Sequence, residues 1–409
     1  MKFLHTAFKN LRAPFEKGGK FEKYNKALTA IEAFETLMFT PDEVTHTGAH
    51  IRDGIDLKRT MSIVILAMVP CLLFGMYNAG YQHFLQLGVE ASFWEMFQIG
   101  LIKVLPLVIV SYGVGLGIEF GFAMYKGHSI EEGYLVTGML IPLIVPVDIP
   151  LWMLAVAVAF AVVFAKEVFG GTGMNIMNVA LTTRAFLFFA YPTFMSGDKI
   201  WVHGALDRAK EIAGGAELDA MSGATILGDL AGMKDGLVKS ADGVIDFTAS
   251  NFSVSDMFLG FIPGSVGETS VLAILIGAAI LLITGIGSWR IMLSAVIGGG
   301  AMGLTFNAFG ANGLMQFDWW QHMLVGGFAF GVVFMATDPV TAAQTNTGKW
   351  IYGFLIGFMA IMIRVFNPAY PEGIMLAILF MNVMAPLIDH YVVEGNIKKR
   401  LKRLNVKTA

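Results

Sequence analysis

The sequence predicts an all-α polytopic membrane protein with ten transmembrane helices, arranged as an inverted repeat of five plus five with short broken helices. Composition supports the membrane class, because 56% of the 409 residues are hydrophobic and only 14% are charged. Soluble globular chains carry about a quarter charged residues. The distribution of basic residues and an internal sequence echo then predict the number and arrangement of the helices.

Ten apolar runs account for the predicted spans. Eight have a length near the roughly 20 residues that cross a bilayer: 61–80, 99–124, 149–169, 270–287, 289–309, 320–338, 350–366 and 373–390. Two more are shorter or interrupted: 133–147, which contains Pro142 and Pro146, and 174–195, which contains Arg184. The first 60 residues lack an apolar core with a small-residue cleavage site, so we expect insertion to use the first span.

Basic residues predict the topology, because short loops rich in Lys and Arg stay in the cytoplasm. Ten basic residues precede residue 61 and six follow residue 390, whereas the 197–269 segment holds five basic and eleven acidic residues. We therefore expect both termini to be cytoplasmic and the 197–269 segment to be external. The predicted domains are a basic arm (1–60), a first five-helix repeat (61–196), an external hydrophilic loop (197–269), a second five-helix repeat (270–390) and a basic tail (391–409).

Two echoes support the duplication. "GMLIPLIVPV" at 138–147 and "GVVFMATDPV" at 331–340 share a Gly and a Pro-Val at the same spacing, and "MNVA" at 177–180 resembles "MNVMA" at 381–385. Halves with five crossings each run in opposite directions through the membrane, which defines an inverted repeat. Broken spans in such repeats usually border a ligand path, because their unpaired backbone groups need polar partners.

The segment "FGGTGMNIMN" at 169–178 opens the fifth predicted span. Its glycines permit close backbone approach, a helix start offers free N–H donors, and two asparagines three residues apart would share a helix face. This combination suits a planar, carbonyl-rich ligand, although close helix packing alone also favours such residues. The candidate ligand-binding residues are Gly170, Gly171, Gly173, Asn175 and Asn178.

Charged side chains at membrane depth are functional candidates, because they are costly unless paired or hydrated. Arg184 requires an anionic partner or a cluster of carbonyls, and Asp338, Asp389 and Glu132 are the candidate acids. Carboxylates beside threonines and broken-helix carbonyls can coordinate Na⁺. The alternative for each acid is a helix-end charge that faces solvent.

Several cofactor classes are excluded. The single cysteine, Cys71, cannot form an iron–sulfur centre, and the eight histidines fall in loops or at span ends, where they cannot ligate a membrane haem. No Walker A loop and no GxGxxG after a strand is present. If this protein moves electrons, the carriers are organic.

The external loop contains "DAMSGATILG" at 219–228. Composition alone indicates a solvated turn. However, Asp219 and the run Ser222, Gly223, Ala224, Thr225 resemble the flavinylation motif D-x-x-[ST]-G-A-[ST]. In that motif the last hydroxyl becomes phosphoester-linked to FMN, which implies covalent FMN on Thr225.

Together, the length, the basic arm, the duplicated body, "FGGTGMNIMN", "MATDPV" and the loop motif resemble the B subunit of the Na⁺-translocating NADH:quinone oxidoreductase family over essentially the whole chain. The resemblance implies a respiratory complex of the bacterial inner membrane, with electrons passing from FMN on Thr225 through riboflavin to ubiquinone while Na⁺ moves outward. We assign riboflavin to the 170–178 glycines and asparagines with Arg184, and the Na⁺ path to Glu132, Asp338 and Asp389. Relatives commonly have Pro where this chain has Val179, which makes the helix break there less certain.

The resemblance also implies partners: the FMN-bearing C subunit, the NADH-oxidising subunit, small membrane subunits, an external flavin transferase and the lipid bilayer. No nucleic acid and no tightly bound metal are expected. Two alternatives remain open: the D subunit of an Rnf-type ferredoxin:NAD⁺ oxidoreductase, which lacks the long basic arm, and a solute channel with a body like that of urea transporters.

Overall fold

The computed structural model describes residues 54–126, 133–197, 200–205, 223–232, 252–367 and 372–407, with scattered positions among the first 51. The helices that precede the hydrophilic segment are α1 (Leu57–Leu87), α2 (Phe93–Lys126), α3 (Tyr134–Ile144), α4 (Leu151–Ala161) and α5 (Val179–Ala190). Helix α4 continues through a π-helical turn (Val162–Lys166) and a 3-10 turn (Glu167–Phe169).

The next helices lie within the hydrophilic segment or follow it. These are α6 (Ile226–Gly232), α7 (Val254–Leu259), α8 (Val271–Ile283), α9 (Trp289–Phe309), α10 (Gly313–Gln316), α11 (Phe328–Phe330), α12 (Asn346–Phe366) and α13 (Ile374–Lys407). Helix α11 continues as a π-helical turn (Gly331–Met335), and α13 extends into the basic residues at the end of the chain.

A helical membrane protein is confirmed. Among the described residues, six helices are long and apolar enough to cross a membrane: α1, α2, α4 with its extension, α9, α12 and α13. Helices α3, α5 and α8 are apolar but shorter. The arrangement of ten helices as an inverted repeat stays a prediction.

The 320–338 run, expected to be one span, is not one helix. A 3-10 turn (Gln321–Met323) is followed by Gly326 and Gly327, whose φ angles are 65° and 67°. This left-handed conformation breaks the run, because L side chains rarely adopt it. The helical part therefore begins only at Phe328.

The expectation that Asn175 and Asn178 share a helix face is wrong. Helix α5 begins at Val179, and Asn178 is its N-cap, with its side chain accepting the Leu181 N–H at 3.2 Å. Asn175 lies in the preceding loop. The loop glycines at 170, 171 and 173 have φ angles between 90° and 122°, which excludes an α-helix through them.

Glycines allow the spanning helices to pack closely. Helix α1 packs against α2 and α8, while α9 packs against α12 and α12 against α13. A Cβ at Gly100 of α2 would lie 1.7 Å from the Met76 carbonyl oxygen of α1, and one at Gly357 of α12 would lie 1.9 Å from the Ala295 carbonyl oxygen of α9. Small residues of this kind commonly bring membrane helices together.

Candidate functional site

Arg184 lies in the interior of the helical body and is paired with two glutamates. The side chain is 1% exposed. Its Nη1 donates to Glu268 Oε1 at 2.8 Å, and its Nη2 donates to Glu372 Oε2. Ser265 Oγ donates to the other carboxylate oxygen of Glu268. These two glutamates therefore supply anionic partners of the kind that Arg184 requires.

A second buried arginine lies beside this pair. Arg364, near the end of α12, donates from Nε to the Glu372 carbonyl at 3.1 Å and from Nη2 to the Val325 carbonyl at 2.8 Å. Its Nη1 donates to the His322 carbonyl. Arg184, Glu268, Glu372 and Arg364, here called the arginine–glutamate cluster, contain two cationic and two anionic side chains. Such pairing offsets the high cost of burying each charge.

The motif threonine lies at a pocket beside the arginine–glutamate cluster. This Thr225 pocket has a volume of about 370 Å³. It is lined by Thr225, Ile226, Leu227, Ile262, Pro263, Gly264, Ser265, Glu268, Thr269, Val325, Gly326, Gly327 and Glu372. Thr225 is half-buried, and its Oγ1 accepts the Gly228 N–H at 3.2 Å. Gly223 and Ala224 are buried, whereas Asp219 and Ser222 lie outside the described residues.

A larger cavity of about 800 Å³ lies at the start of α5. We call it the amide cavity, after Asn175 and Asn178. The other residues that line it are Thr60, Met61, Val64, Gly133, Val136, Thr137, Leu140, Lys166, Thr172, Val179, Leu281, Ile286, Gly287, Phe334, Thr337, Asp338, Pro339 and Val340.

Polar groups converge on the amide cavity. Asn178 Nδ2 donates to Asp338 Oδ2 at 3.3 Å, and Thr341 Oγ1 donates to the same oxygen at 3.0 Å. Thr172 Oγ1 is buried and has no hydrogen-bond partner among the residues that the structure describes. A buried polar atom in that state usually needs a ligand or water, so the cavity wall fits a ligand with polar edges. An apolar bulk with a few such groups is typical of cofactor sites.

The structure separates the remaining predicted residues. Gly170, Gly171 and Gly173 shape the loop beside the amide cavity but do not line it, and neither does Arg184. Glu132 lies outside the described residues.

Asp389, on α13, lines neither the amide cavity nor the Thr225 pocket and binds the start of α12. Its carboxylate accepts the Gln344 N–H at 2.6 Å and the Thr345 N–H at 3.0 Å. Asp338 and Asp389 therefore anchor opposite ends of the 338–345 segment.

Helix α5 connects the two cavities. Asn178, at its start, lines the amide cavity, and Arg184 binds two glutamates that line the Thr225 pocket. These residues are six positions apart, which corresponds to roughly 9 Å along a helix with a 1.5 Å rise per residue. Beside this helix, the Asn382 amide oxygen of α13 accepts the Asn178 backbone N–H at 3.2 Å.

Outside the spanning helices, Asp148 holds the start of the hydrophilic segment. Its carboxylate accepts from His203 Nδ1 at 2.7 Å and from the Gly204 N–H at 2.7 Å. Burial raises the pKa of Asp148, but the hydrogen bonds from His203 and Gly204 and the charge of Lys103 outweigh burial and lower it below its ordinary value. This contact is therefore present at neutral pH and weakens as the pH falls towards the lowered pKa.

Sequence reasoning missed three site residues. Glu268 and Glu372 lie 84 and 188 positions from Arg184, so no local pattern relates them. Their common signal is a glutamate placed just before an apolar run. Lys166 lies near the end of the predicted 149–169 span and was not a candidate. The structure shows that it is 3% exposed and lines the amide cavity.

Comparisons with known proteins identify the family of this chain. The model of the NQR2, RnfD, RnfE family matches residues 44–398. The B subunit of the Na(+)-translocating NADH-quinone reductase of Chromohalobacter salexigens is 46% identical over 423 positions, covering 98% of this chain and 96% of the relative. Proteins of the same name from Stutzerimonas stutzeri and Pseudomonas aeruginosa are 46% and 45% identical, and each alignment covers 95% of this chain and 96% of the relative.

The family model spans most of the chain, and the alignments with these relatives are nearly complete. Together they establish kinship. The chain therefore belongs to the NQR2, RnfD, RnfE family and, within it, to the group of B subunits of the Na⁺-translocating NADH-quinone reductase, an oxidoreductase complex.

Proposed function

We propose that this chain carries FMN in phosphoester linkage on Thr225, holds riboflavin in the amide cavity and delivers electrons to ubiquinone while Na⁺ moves outward. One observation supports this assignment above the others. The motif threonine and the asparagine pair were identified separately in the sequence, and they line two cavities that a single short helix, α5, connects.

Thr225 is suited to carry the covalent group. Its hydroxyl is half-buried at the start of α6, between the small residues Gly223 and Ala224 and the opening of the Thr225 pocket. Hydroxyl groups of serine and threonine and the carboxylates of Glu268 and Glu372 provide polar edges in that pocket. Covalent attachment makes a separate phosphate-binding site unnecessary. A bound flavin supplies the electron-transfer chemistry, and the protein supplies its position and electrostatic surroundings.

The amide cavity is suited to an uncharged flavin. Asn178 and Asn175 offer amide groups, Thr172 offers a hydroxyl without a partner among the described residues, and Phe334 is among the apolar residues of the wall. These residues would hold the ring system and its polar edge. Among the lining residues that the structure describes, Lys166 is the one basic side chain. Basic groups commonly bind the phosphate of a nucleotide. Riboflavin has no phosphate, so a wall without a cluster of basic groups suits it.

Asp338 is the candidate acid best placed for Na⁺. Its carboxylate lies on the wall of the amide cavity with the hydroxyl of Thr341 bound to it, and Thr337 is adjacent. Carboxylate, hydroxyl and carbonyl oxygens are the ligands that hard cations prefer. Asp389 holds the other end of the 338–345 segment, so it would act on this site through the position of the segment. Glu132 stays a candidate on sequence grounds alone.

The structure also supports the proposed membrane arrangement. The third apolar element of each half is short and followed by an irregular segment, as seen after α3 and after α11. Helices α5 and α13 lie antiparallel, because Asn178 meets Asn382 while Arg184 meets Glu372 at the start of α13. Both features are expected of five-plus-five inverted repeats.

The proposed setting follows from this arrangement and from the kinship. It is the bacterial inner membrane, with both termini cytoplasmic. The proposed partners are the FMN-bearing C subunit, the NADH-oxidising subunit, small membrane subunits and a flavin transferase.

The alternatives have less support. The family model also covers RnfD, but the relatives aligned over nearly the whole chain are named as B subunits of the Na⁺-translocating enzyme. A urea-transporter-like channel gives no reason for the flavinylation motif at Thr225.

Thr225→Ala is expected to abolish covalent flavin on this chain, because it removes the oxygen that forms the phosphoester. Thr225→Ser is the matched control and should remain flavinylated, since the motif accepts either hydroxyl residue. Intact-mass measurement of the chain from the purified complex checks both variants. An FMN-mass adduct on Thr225→Ala would contradict the assignment.

Asn178→Leu is expected to lower the riboflavin content of the purified complex by about tenfold, because a buried hydrogen bond lost to a ligand costs about 1–3 kcal/mol. Asn178→Ser retains an N-cap oxygen for α5 but loses the amide, so it should lose riboflavin as well. Extraction and chromatography give the stoichiometry. Full riboflavin in both variants would move the site elsewhere.

Asp338→Ala and Asp389→Ala are expected to raise the Na⁺ concentration that half-saturates quinone reduction, with the larger rise for Asp338. The physical reason is loss of a cation ligand in the first case and release of the 338–345 segment in the second. Initial rates across a Na⁺ titration measure the effect. Unchanged half-saturation in both variants would exclude the two residues from the Na⁺ path.

A further inference from the structure

We infer that Lys166, held in place by Glu119, raises the reduction potential of the flavin in the amide cavity by placing a positive charge on the cavity wall. This inference rests on the proposed function, in which riboflavin occupies that cavity. Lys166 acts directly on the cavity, and Glu119 is a positioning residue that acts through Lys166.

Contacts from α2 and α3 fix the position of the Lys166 side chain. Lys166 and Glu119 are 3% and 4% exposed. Lys166 Nζ donates to Glu119 Oε1 of α2 and lies 5.8 Å from the centre of the Tyr134 ring of α3. Lys166 lines the amide cavity, whereas Glu119 is not among the lining residues. Lys166 is therefore the member of the ion pair that lies on the cavity side.

The local backbone explains how a lysine reaches this place. The π-helical turn from Val162 to Lys166 interrupts α4 just before the glycine loop, and Lys166 is its last residue. A π-turn adds a residue to the helix turn, changes the direction of the side chains that follow, and is frequent at functional sites. The Gly171 N–H donates to the Lys166 carbonyl at 3.1 Å, which joins the turn to the loop that carries Thr172 and Asn175.

The charges at this wall predict an electrostatic effect. An electron that reaches the cavity adds negative charge there unless a proton follows it. A fixed ammonium at the wall favours that charge, and the interior of the protein screens it weakly. Asp338 opposes this effect from another part of the wall, where Asn178 and Thr341 bind its carboxylate. In the proposed path the electron arrives from FMN and leaves to quinone. Lys166 acts only through its charge, so it keeps its proton and no bond is formed or broken at Nζ.

The test uses the purified complex and two charge-removing variants. Lys166→Gln removes the ammonium, and the double variant Glu119→Gln with Lys166→Gln removes both charges, so that no unpaired charge stays buried. Lys166→Arg retains the charge. Lys126→Gln is the matched control, because Lys126 pairs with Glu167 at 3.4 Å at the same end of the body but does not line the cavity.

The reduction potential of the cavity flavin is measured by redox titration at fixed pH, following the signal that is missing from Asn178→Leu complexes that have lost riboflavin. We expect Lys166→Gln and the double variant to lower the reduction potential by at least about 59 mV, which corresponds to a tenfold change in the one-electron equilibrium constant. Lys166→Arg and Lys126→Gln should stay at the wild-type value. Riboflavin stoichiometry is measured on the same samples.

The outcomes distinguish failure of the proposed role of Lys166 from failure of the proposed riboflavin site. If riboflavin is present in full and the potential of the double variant equals that of wild type, the role of Lys166 is wrong while the riboflavin site stands. The same conclusion follows if Lys126→Gln shifts the potential as much as Lys166→Gln. If Asn178→Leu and Asn178→Ser retain all riboflavin, the proposed function of the cavity fails first, and the inference fails with it.

Discussion

The guanidinium of Arg184 must be neutralised inside an apolar helical body, and much of the described structure depends on how this is done. Its two carboxylate partners come from the segments just before α8 and α13. Their pairing joins α5 to the beginnings of two helices that are distant in sequence. Removing one partner from a buried pair typically costs about 3–5 kcal/mol, because the remaining charge is uncompensated. The position of α5 is therefore strongly constrained.

This constraint has a functional consequence. Helix α5 is short, and its start and its middle meet different sites: the amide cavity at Asn178 and, through Arg184, the glutamates of the Thr225 pocket. A rigid connection of roughly 9 Å along the helix axis keeps the two sites at a constant separation. Electron transfer between two flavins requires such a fixed geometry. In the proposed function, Lys166 and Asp338 at the amide cavity provide the electrostatic surroundings of the second flavin.

Composition and hydropathy predicted the membrane class and most of the long helices, because the apolar runs need no information beyond their own residues. The flavinylation motif and the asparagine pair were also local patterns, and the structure brings Thr225 and the two asparagines to cavities. The failures involved backbone geometry and distant pairing. Gly326 and Gly327 broke an apolar run that hydropathy treats as continuous. Glu268 and Glu372 became visible as partners of Arg184 only when the chain was folded.

The central claim is that α5 borders two flavin sites, one at its start and one beside the glutamates that bind Arg184. A density map of the intact complex, at a resolution that shows flavin rings, tests it most directly. We expect density continuous with Thr225 Oγ1 that enters the Thr225 pocket beside Glu268, and a second flavin in the amide cavity in contact with Asn178. An unmodified Thr225 in the active complex, or a second flavin bound away from the start of α5, would contradict the account.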